Sequence, residues 1–386
     1  MASNLNRAFS SPNANRIESN QALMTELQSV GLRLMSPDEG AQSRRGGAGP
    51  SDHKAVTIDG VTIMVPVHTT TAWHSPYVAQ TPNGNGISKI MRGNIPIAEI
   101  SFPKKPKFYD LKTEDGIPYS HIATLHSKDV LATTVLQTCI RFNNRKKSCQ
   151  FCAIGQSLAA GRTIAHKTPE QLAEVALAAV KLDGVKHMVM TTGTPPTPGR
   201  GAKILCESAA AVKAVVDLPI QAQCEPPDTD TWFQTMKDSG IDSLGMHLEA
   251  VTPEVRNRIM PGKASVSIAR YMDAFKAAVN VFGRGQVNTY ILAGLGDTAE
   301  AILTMSNQLI AIGVYPFVVP FVPITGTPLE DNPAPTADFM RSILTPLGAM
   351  LSEANMLADD IKAGCGKCGA CSTVSAYETK KVVSSC

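Results

Sequence analysis

Charge of one sign is in short supply in this chain. Lysine and arginine total 36 against 33 acids, a formal net charge of +3, which is too small to argue for nucleic acid as a partner. No run of roughly 18 consecutive apolar residues occurs, so neither a membrane span nor a membrane partner is expected. The first sixteen residues lack the apolar core of a secretory signal. Their Arg, Ser and Asn content faintly resembles a transit peptide, but they are read as a loose tail. The nine cysteines do not look paired either. Their total is odd, and six of them gather in two clusters of three. Together with the missing signal, this argues against a disulfide framework and for metal ligation in a reducing, cytoplasmic setting.

What is present is ordinary globular composition, 43% hydrophobic and 18% charged, over 386 residues. That length holds one large domain or two smaller ones. Residues 1–129 read as an extension with a loose start and a partly β remainder. It carries a short helix from Gln21 to Leu32, a polar linker over 43–53, and a hairpin from Ala55 to Pro66 around Asp59-Gly60. From Val130 the texture becomes alternating strand and helix. Strands are expected at Thr133–Ile140, His187–Thr191, Ile220–Cys224, Ser243–Leu248, Val287–Ala293 and Tyr315–Val322. The strongest helix start is Thr168-Pro169-Glu170-Gln171, an N-cap, a first-turn proline and a glutamine three residues on. Residues 331–386 supply a closing helix, Thr336–Met356, and the second cysteine cluster. About six β/α units mean a parallel sheet with right-handed crossovers, either an open doubly wound sheet or a full or partial barrel. In both, chemistry belongs at the carboxyl ends of the strands.

The central cluster is Cys139, Cys149 and Cys152, spaced C-x9-C-x2-C, with a polar, basic loop between the first two. Three thiolates are one short of closing a tetrahedral zinc site or a four-cysteine cubane. A cubane held this way keeps one iron open for a ligand. A structural zinc knuckle borrowing a distant ligand is the alternative.

Cys149-Gln150-Phe151-Cys152 after a first strand resembles the cluster loop of the radical S-adenosylmethionine (SAM) superfamily. The usual first spacing there is three residues, and this chain has nine. Further likeness to the biotin and lipoyl synthases runs over residues 130–330. Thr191-Thr192-Gly193-Thr194 occupies the place of the family's Gly-Gly-Glu turn, without the Glu. Gly245 to Glu249, followed by Arg256 and Met260-Pro261-Gly262, resembles the stretch where an acid contacts SAM. Ile291 to Glu300 resembles the glycine-rich turn near the adenine, and Pro323 to Leu329 the segment that ends the barrel. The whole chain is most similar to a radical SAM subfamily associated with nitrilase-containing bacterial gene clusters of nitrile or cyanide metabolism.

The resemblance implies a partial (β/α)6 TIM-like barrel of radical SAM type, with an amino-terminal extension and a carboxyl-terminal cysteine-rich segment. It implies a [4Fe–4S] cluster on Cys139, Cys149 and Cys152. SAM contacts would come from Gly193, Thr194, Glu225, Glu249, Leu292, Gly294 and Gly296. A small-molecule substrate and an electron donor such as flavodoxin or ferredoxin follow, the donor docking on the Arg145-Lys146-Lys147 run if that run is more than a solvated loop. Cys365, Cys368 and Cys371, spaced C-x2-C-x2-C with glycines between, are ferredoxin-like and suggest a second [4Fe–4S] cluster. Cys386 is either its fourth ligand or a free tail thiol. The second cluster would transfer electrons, anchor substrate, or donate sulfur as in lipoyl synthase. The contrasting reading is a non-catalytic, zinc-bound scaffold. Arg256 and Arg258 read as solvated helix charges, Cys206 as a buried small hydrophobe, and His247 as either a core residue or a site residue.

Overall fold

The computed structural model describes residues 12–35, 52–142, 144 and 146–379. Residues 1–11 of the expected loose tail, most of the polar linker, Arg145 and Cys386 lie outside them, and residues 12–16 are helical rather than loose. Two sheets organise the rest. The first takes strands β1 (Arg33–Leu34), β2 (His53–Ile58), β3 (Val61–Pro66), β4 (Tyr77–Ala79), β5 (Ile87–Arg92) and β6 (Ile95–Ser101) in the order β1-β4-β5-β6-β2-β3. The β2–β3 hairpin turns at Asp59 and Gly60, both at positive φ (47° and 82°), as a tight two-residue turn requires. Helix Pro12–Val30, longer than the expected segment, packs Leu23, Met24 and Leu27 onto this sheet.

The second sheet takes β7 (Thr124–His126), β8 (Val130–Thr134), β9 (His187–Thr191), β10 (Ile220–Gln223), β11 (Ser243–Gly245), β12 (Val287–Ala293) and β13 (Val314–Pro320). Their order follows the chain without a break, and every pair but the antiparallel β7–β8 is parallel. An unbroken order has no switch point. Right-handed crossovers then carry every helix to the same face, and the sheet winds as a partial barrel rather than a doubly wound sheet. The six parallel strands β8–β13 are the (β/α)6 core.

Capping fixes where the crossover helices begin. Thr168 accepts from Gln171 N–H, and the Gln171 side chain accepts from Thr168 N–H, a complete capping box for Pro169–Asp183. Thr252, Ser267, Thr298 and Thr336 cap later helices by accepting from the backbone N–H three residues on. Each such cap contributes about 1 kcal/mol.

The amino-terminal unit and the carboxyl-terminal segment clasp each other. Met64 N–H and the Gln28 amide both donate to Ala370 O, at 2.7 and 2.9 Å. Thr25 pairs with Thr373 at 2.9 Å. These bonds press the second cysteine segment against the barrel mouth. No helix among the described residues is long and apolar enough to cross a membrane.

Candidate active site

The first cysteine trio sits on a loop over the carboxyl ends of the strands. Cys139 does not end its strand as expected: β8 stops at Thr134. The chain stays extended beside the loop after β9, through Val135 N–H to Thr191 O and Gly193 N–H to Leu136 O, and only then delivers Cys139. That close passage explains Gly193, where a β-carbon would lie 2.1 Å from Thr138 O. The far side of the loop rests on the segment after the fourth parallel strand, with Gln150 N–H donating to Ile259 O at 2.9 Å. A β-carbon on Gly262 would lie 2.3 Å from Lys147 O. Phe151 packs with Ile259, Leu295 and Phe321.

The three thiols influence one another, and burial pushes Cys152 up to about 11. Cys149 is pushed well above its ordinary value, first by burial and then by Glu249. Ile154 N–H donates to the Cys152 sulfur. A backbone donor aimed at sulfur, and three partly buried thiols brought onto one loop, fit a cluster site. Among the described residues, no three His, Cys, Asp or Glu side chains converge as a single metal ion requires.

Charged pairs surround this trio. Glu225 is 8% exposed and binds three partners: Arg141 at 2.7 Å, Arg200 at 3.1 Å and the Thr194 hydroxyl at 2.9 Å. Arg141 keeps Nε and Nη1 without partners while buried. Glu249 pairs with Lys263 at 2.7 Å. Burial opposes the charge of Lys263, but Glu249, helped by Tyr271, Glu225 and Cys149, outweighs it and holds the ammonium protonated. Glu249 adopts φ 64°, a left-handed conformation costing about 1–2 kcal/mol outside glycine. It is held there by Glu249 N–H to Tyr290 O and Leu292 N–H to Glu249 O, both 2.8 Å.

Beneath the loop, inside the barrel, lies a cavity of about 360 Å³. Phe151, Glu249, Leu292 and Phe321 line its upper end, His247 and Tyr290 its flank, and Cys365 and Cys371 its floor, with His53 and Met64 closing it from the amino-terminal unit. His247 and Glu249 both reach it. Burial, then Lys263, lowers His247 to about 3. Its neutral Nδ1 accepts from Tyr290 N–H at 3.2 Å, which leaves the proton on Nε2.

The other expected SAM contacts stand at the carboxyl-end rim rather than in the cavity wall. Gly193, Thr194 and Glu225 cluster beside the cysteine loop. Gly294 approaches Pro335, and a β-carbon on Gly296 would lie 2.2 Å from Arg258 Nη2. Arg256 corrects the sequence reading. It is 2% exposed rather than solvated, donates to Leu248 O, Lys263 O and Val266 O, and lies over the Tyr271 ring. It braces the turn that carries Glu249 and Lys263. Cys206 is buried on its helix, as expected.

The second trio plugs the opposite, amino-terminal end of the strands. Gly364 N–H donates to His187 Nδ1 at 3.2 Å, Cys365 N–H to Gln221 Oε1 at 3.1 Å, and the Ser243 hydroxyl to Ala363 O at 2.8 Å. Ala370 N–H donates to the Cys368 sulfur, the same two-residue relation as Ile154 to Cys152. Gly369 turns the chain at φ 67°, so Cys371 returns to the cavity beside Cys365.

Arg141, Arg200, Lys263, Gln223 and Tyr290 escaped the sequence reading. Only the tertiary fold brings these common residue types against the thiols and carboxylates.

Residues 142–309 match the family model described as Radical SAM superfamily. That stretch of the chain resembles a radical SAM domain. It is 28% identical over 249 residues to bacteriochlorophyllide c C-7(1)-hydroxylase of Chlorobaculum limnaeum, covering 59% of this chain and 61% of that one. It is 26% identical over 175 residues to lipoyl synthase of Marinobacter nauticus, covering 44% and 47%. The matched stretch thus spans about half to three fifths of these curated relatives. Among solved structures, methylornithine synthase aligns with a TM-score of 0.47 at 18% identity, over 71% of this chain and 80% of that one.

Proposed function

We propose that this protein is a radical SAM enzyme that removes a hydrogen atom from a small molecule held in the barrel cavity. Likeness to the superfamily supports SAM-cleaving radical chemistry. Cys139, Cys149 and Cys152 would hold the [4Fe–4S] cluster. When bound, that cluster supplies an electron to SAM, whose C–S bond breaks to give methionine and a 5′-deoxyadenosyl radical. The rest falls to the chain. Glu225 and Glu249, each fixed by buried cations, would orient the charged and ribose ends of SAM, with Gly193, Thr194, Leu292, Gly294 and Gly296 shaping its bed. The apolar wall, Phe151, Leu292, Val319 and Phe321, would exclude water from the radical's path. A one-electron donor, flavodoxin or ferredoxin, would approach exposed Lys146 and Lys147 on the cysteine loop.

The observation that carries this reading is the single cavity running from the Phe151 loop to Cys365 and Cys371. A substrate held there would lie between the Phe151 loop and the second trio, which supports a second cluster on Cys365, Cys368 and Cys371 that anchors substrate or takes up an electron. Because two of those sulfurs face the same cavity, sulfur insertion of the lipoyl synthase type is the second reading. Anaerobically purified protein should be brown, contain iron and sulfide for two cubanes, and form deoxyadenosine from SAM and dithionite. Iron-loaded, reduced protein that forms none above background sinks the reading. Isotope-labelled sulfide in the second cluster separates its two variants, since label reaches the product only if sulfur is donated.

A further inference from the structure

The cavity floor is built around sulfur. Gln223 Nε2 donates to Cys365 Sγ at 3.0 Å. The Tyr290 phenol stands beside both Cys365 and Cys371. His126 Nε2 lies 3.5 Å from Cys371 Sγ. All three belong to the cavity lining, so they stand between its contents and the thiols. They are also held in place. The Tyr290 ring packs edge-on against His247 at 4.9 Å and Phe317 at 5.1 Å. The same Gln223 amide donates to Gln221 Oε1 at 2.8 Å, and that oxygen accepts from Cys365 N–H.

We propose that Tyr290 and Gln223, with His126, are positioning residues that set the reduction potential of a cluster held by Cys365, Cys368 and Cys371. This rests on the reading of that trio as a cluster site. Reduction adds negative charge to the cluster and its thiolate sulfurs. Donors already aimed at those sulfurs stabilise the reduced form more than the oxidised one and raise the potential. Their neutrality matters: with water excluded, fixed dipoles do this without bringing a counter-charge into the chamber. The Tyr290 phenol reaches both cavity-facing sulfurs, so it also couples the potential to whatever occupies the cavity. An occupant that draws the hydroxyl away lowers the potential, and one that packs it against sulfur raises it.

The test is a potentiometric titration followed by electron paramagnetic resonance, on anaerobic full-length protein, comparing wild type with Tyr290→Phe and Gln223→Leu. Iron and sulfide are counted first. Material with a single cubane overturns the cluster reading and this inference with it. With two cubanes present, both variants should move the second cluster's midpoint to lower potential, while the first cluster's midpoint serves as an unmoved internal reference. A further measurement needs no variant to fold: pulsed resonance of reduced wild type in D₂O should reveal exchangeable deuterons coupled to the second cluster. Unmoved midpoints, or no coupled deuteron, overturn the inference and leave the cluster reading standing.

Discussion

The two cysteine trios occupy opposite ends of one parallel sheet, and their surroundings differ in kind. The trio at the carboxyl ends is ringed by ions: Arg141 and Arg200 on Glu225, and Lys263 on Glu249. At the amino ends the two cavity-facing sulfurs, Cys365 and Cys371, meet neutral groups such as Gln223 and Tyr290, and the charges, Asp129 and Lys367 among them, lie on the outer side with Cys368. Buried charges are tolerated only when paired. Paired ions that are also close to a reactive loop can take up the ammonium and carboxylate of a zwitterion by exchanging partners. Neutral donors cannot, but they can bias the charge held on sulfur. The contrast is what the proposals of SAM at the first end and charge tuning at the second draw on.

Three paired experiments break or sharpen that contrast. The largest effect belongs to the cysteines. Cys152→Ala should reduce deoxyadenosine formation to background. Cys368→Ala should remove about half the iron of a two-cubane protein and lower deoxyadenosine formation without abolishing it. Equal losses would erase the distinction between the trios; iron analysis and chromatography of SAM products decide. Next come the partners. Lys263→Met strands the Glu249 carboxylate in a buried site and should cost about 3–5 kcal/mol. Gln223→Leu removes only neutral hydrogen bonds and should cost about 1 kcal/mol. Urea unfolding under anaerobic conditions reads both, and comparable costs would mean the second end hides a charge.

The glycines give the smaller effects. Gly193→Ala drives a methyl against Thr138 O, backbone that cannot swing aside, and should cost about 1–3 kcal/mol together with loss of cluster loading. Gly369→Ala meets only the Ser375 hydroxyl at 3.2 Å. Its penalty is the left-handed conformation alone, about 1 kcal/mol, read as a small drop in thermal midpoint with the iron content kept.

Much of the fold was legible because its signals are local. Thr168-Pro169-Glu170-Gln171 announced a helix that begins where expected. Asp59-Gly60 announced its hairpin. Strands such as His187–Thr191 and Val287–Ala293 matched to the residue. Strand ends near the cysteine loop were the errors. Thr133–Ile140 read as one apolar strand, but the sheet releases the chain at Thr134 so that the loop can cross Gly193. Ser243–Leu248 was likewise cut to Gly245, because the chain turns to place His247 and Glu249 in the cavity. Arg256 was misread for a similar reason. A charge on a short amphipathic helix is normally solvated, and only the returning turn at Lys263 and Val266 supplies the carbonyls that pay for its burial.

The sequence by itself determined the cysteine spacings, the alternation of β and α, and the helix caps. Each depends on residues within a few positions of one another, whose geometry the backbone alone dictates. The tertiary structure decided that a cavity under the Phe151 loop ends on Cys365 and Cys371, that the amino-terminal unit closes it, and which side chains touch which sulfur. Gln223 meets Cys365 across 142 positions of chain, and no local preference encodes such a meeting. It exists because six parallel strands in unbroken order bring the end of the chain back beneath its middle.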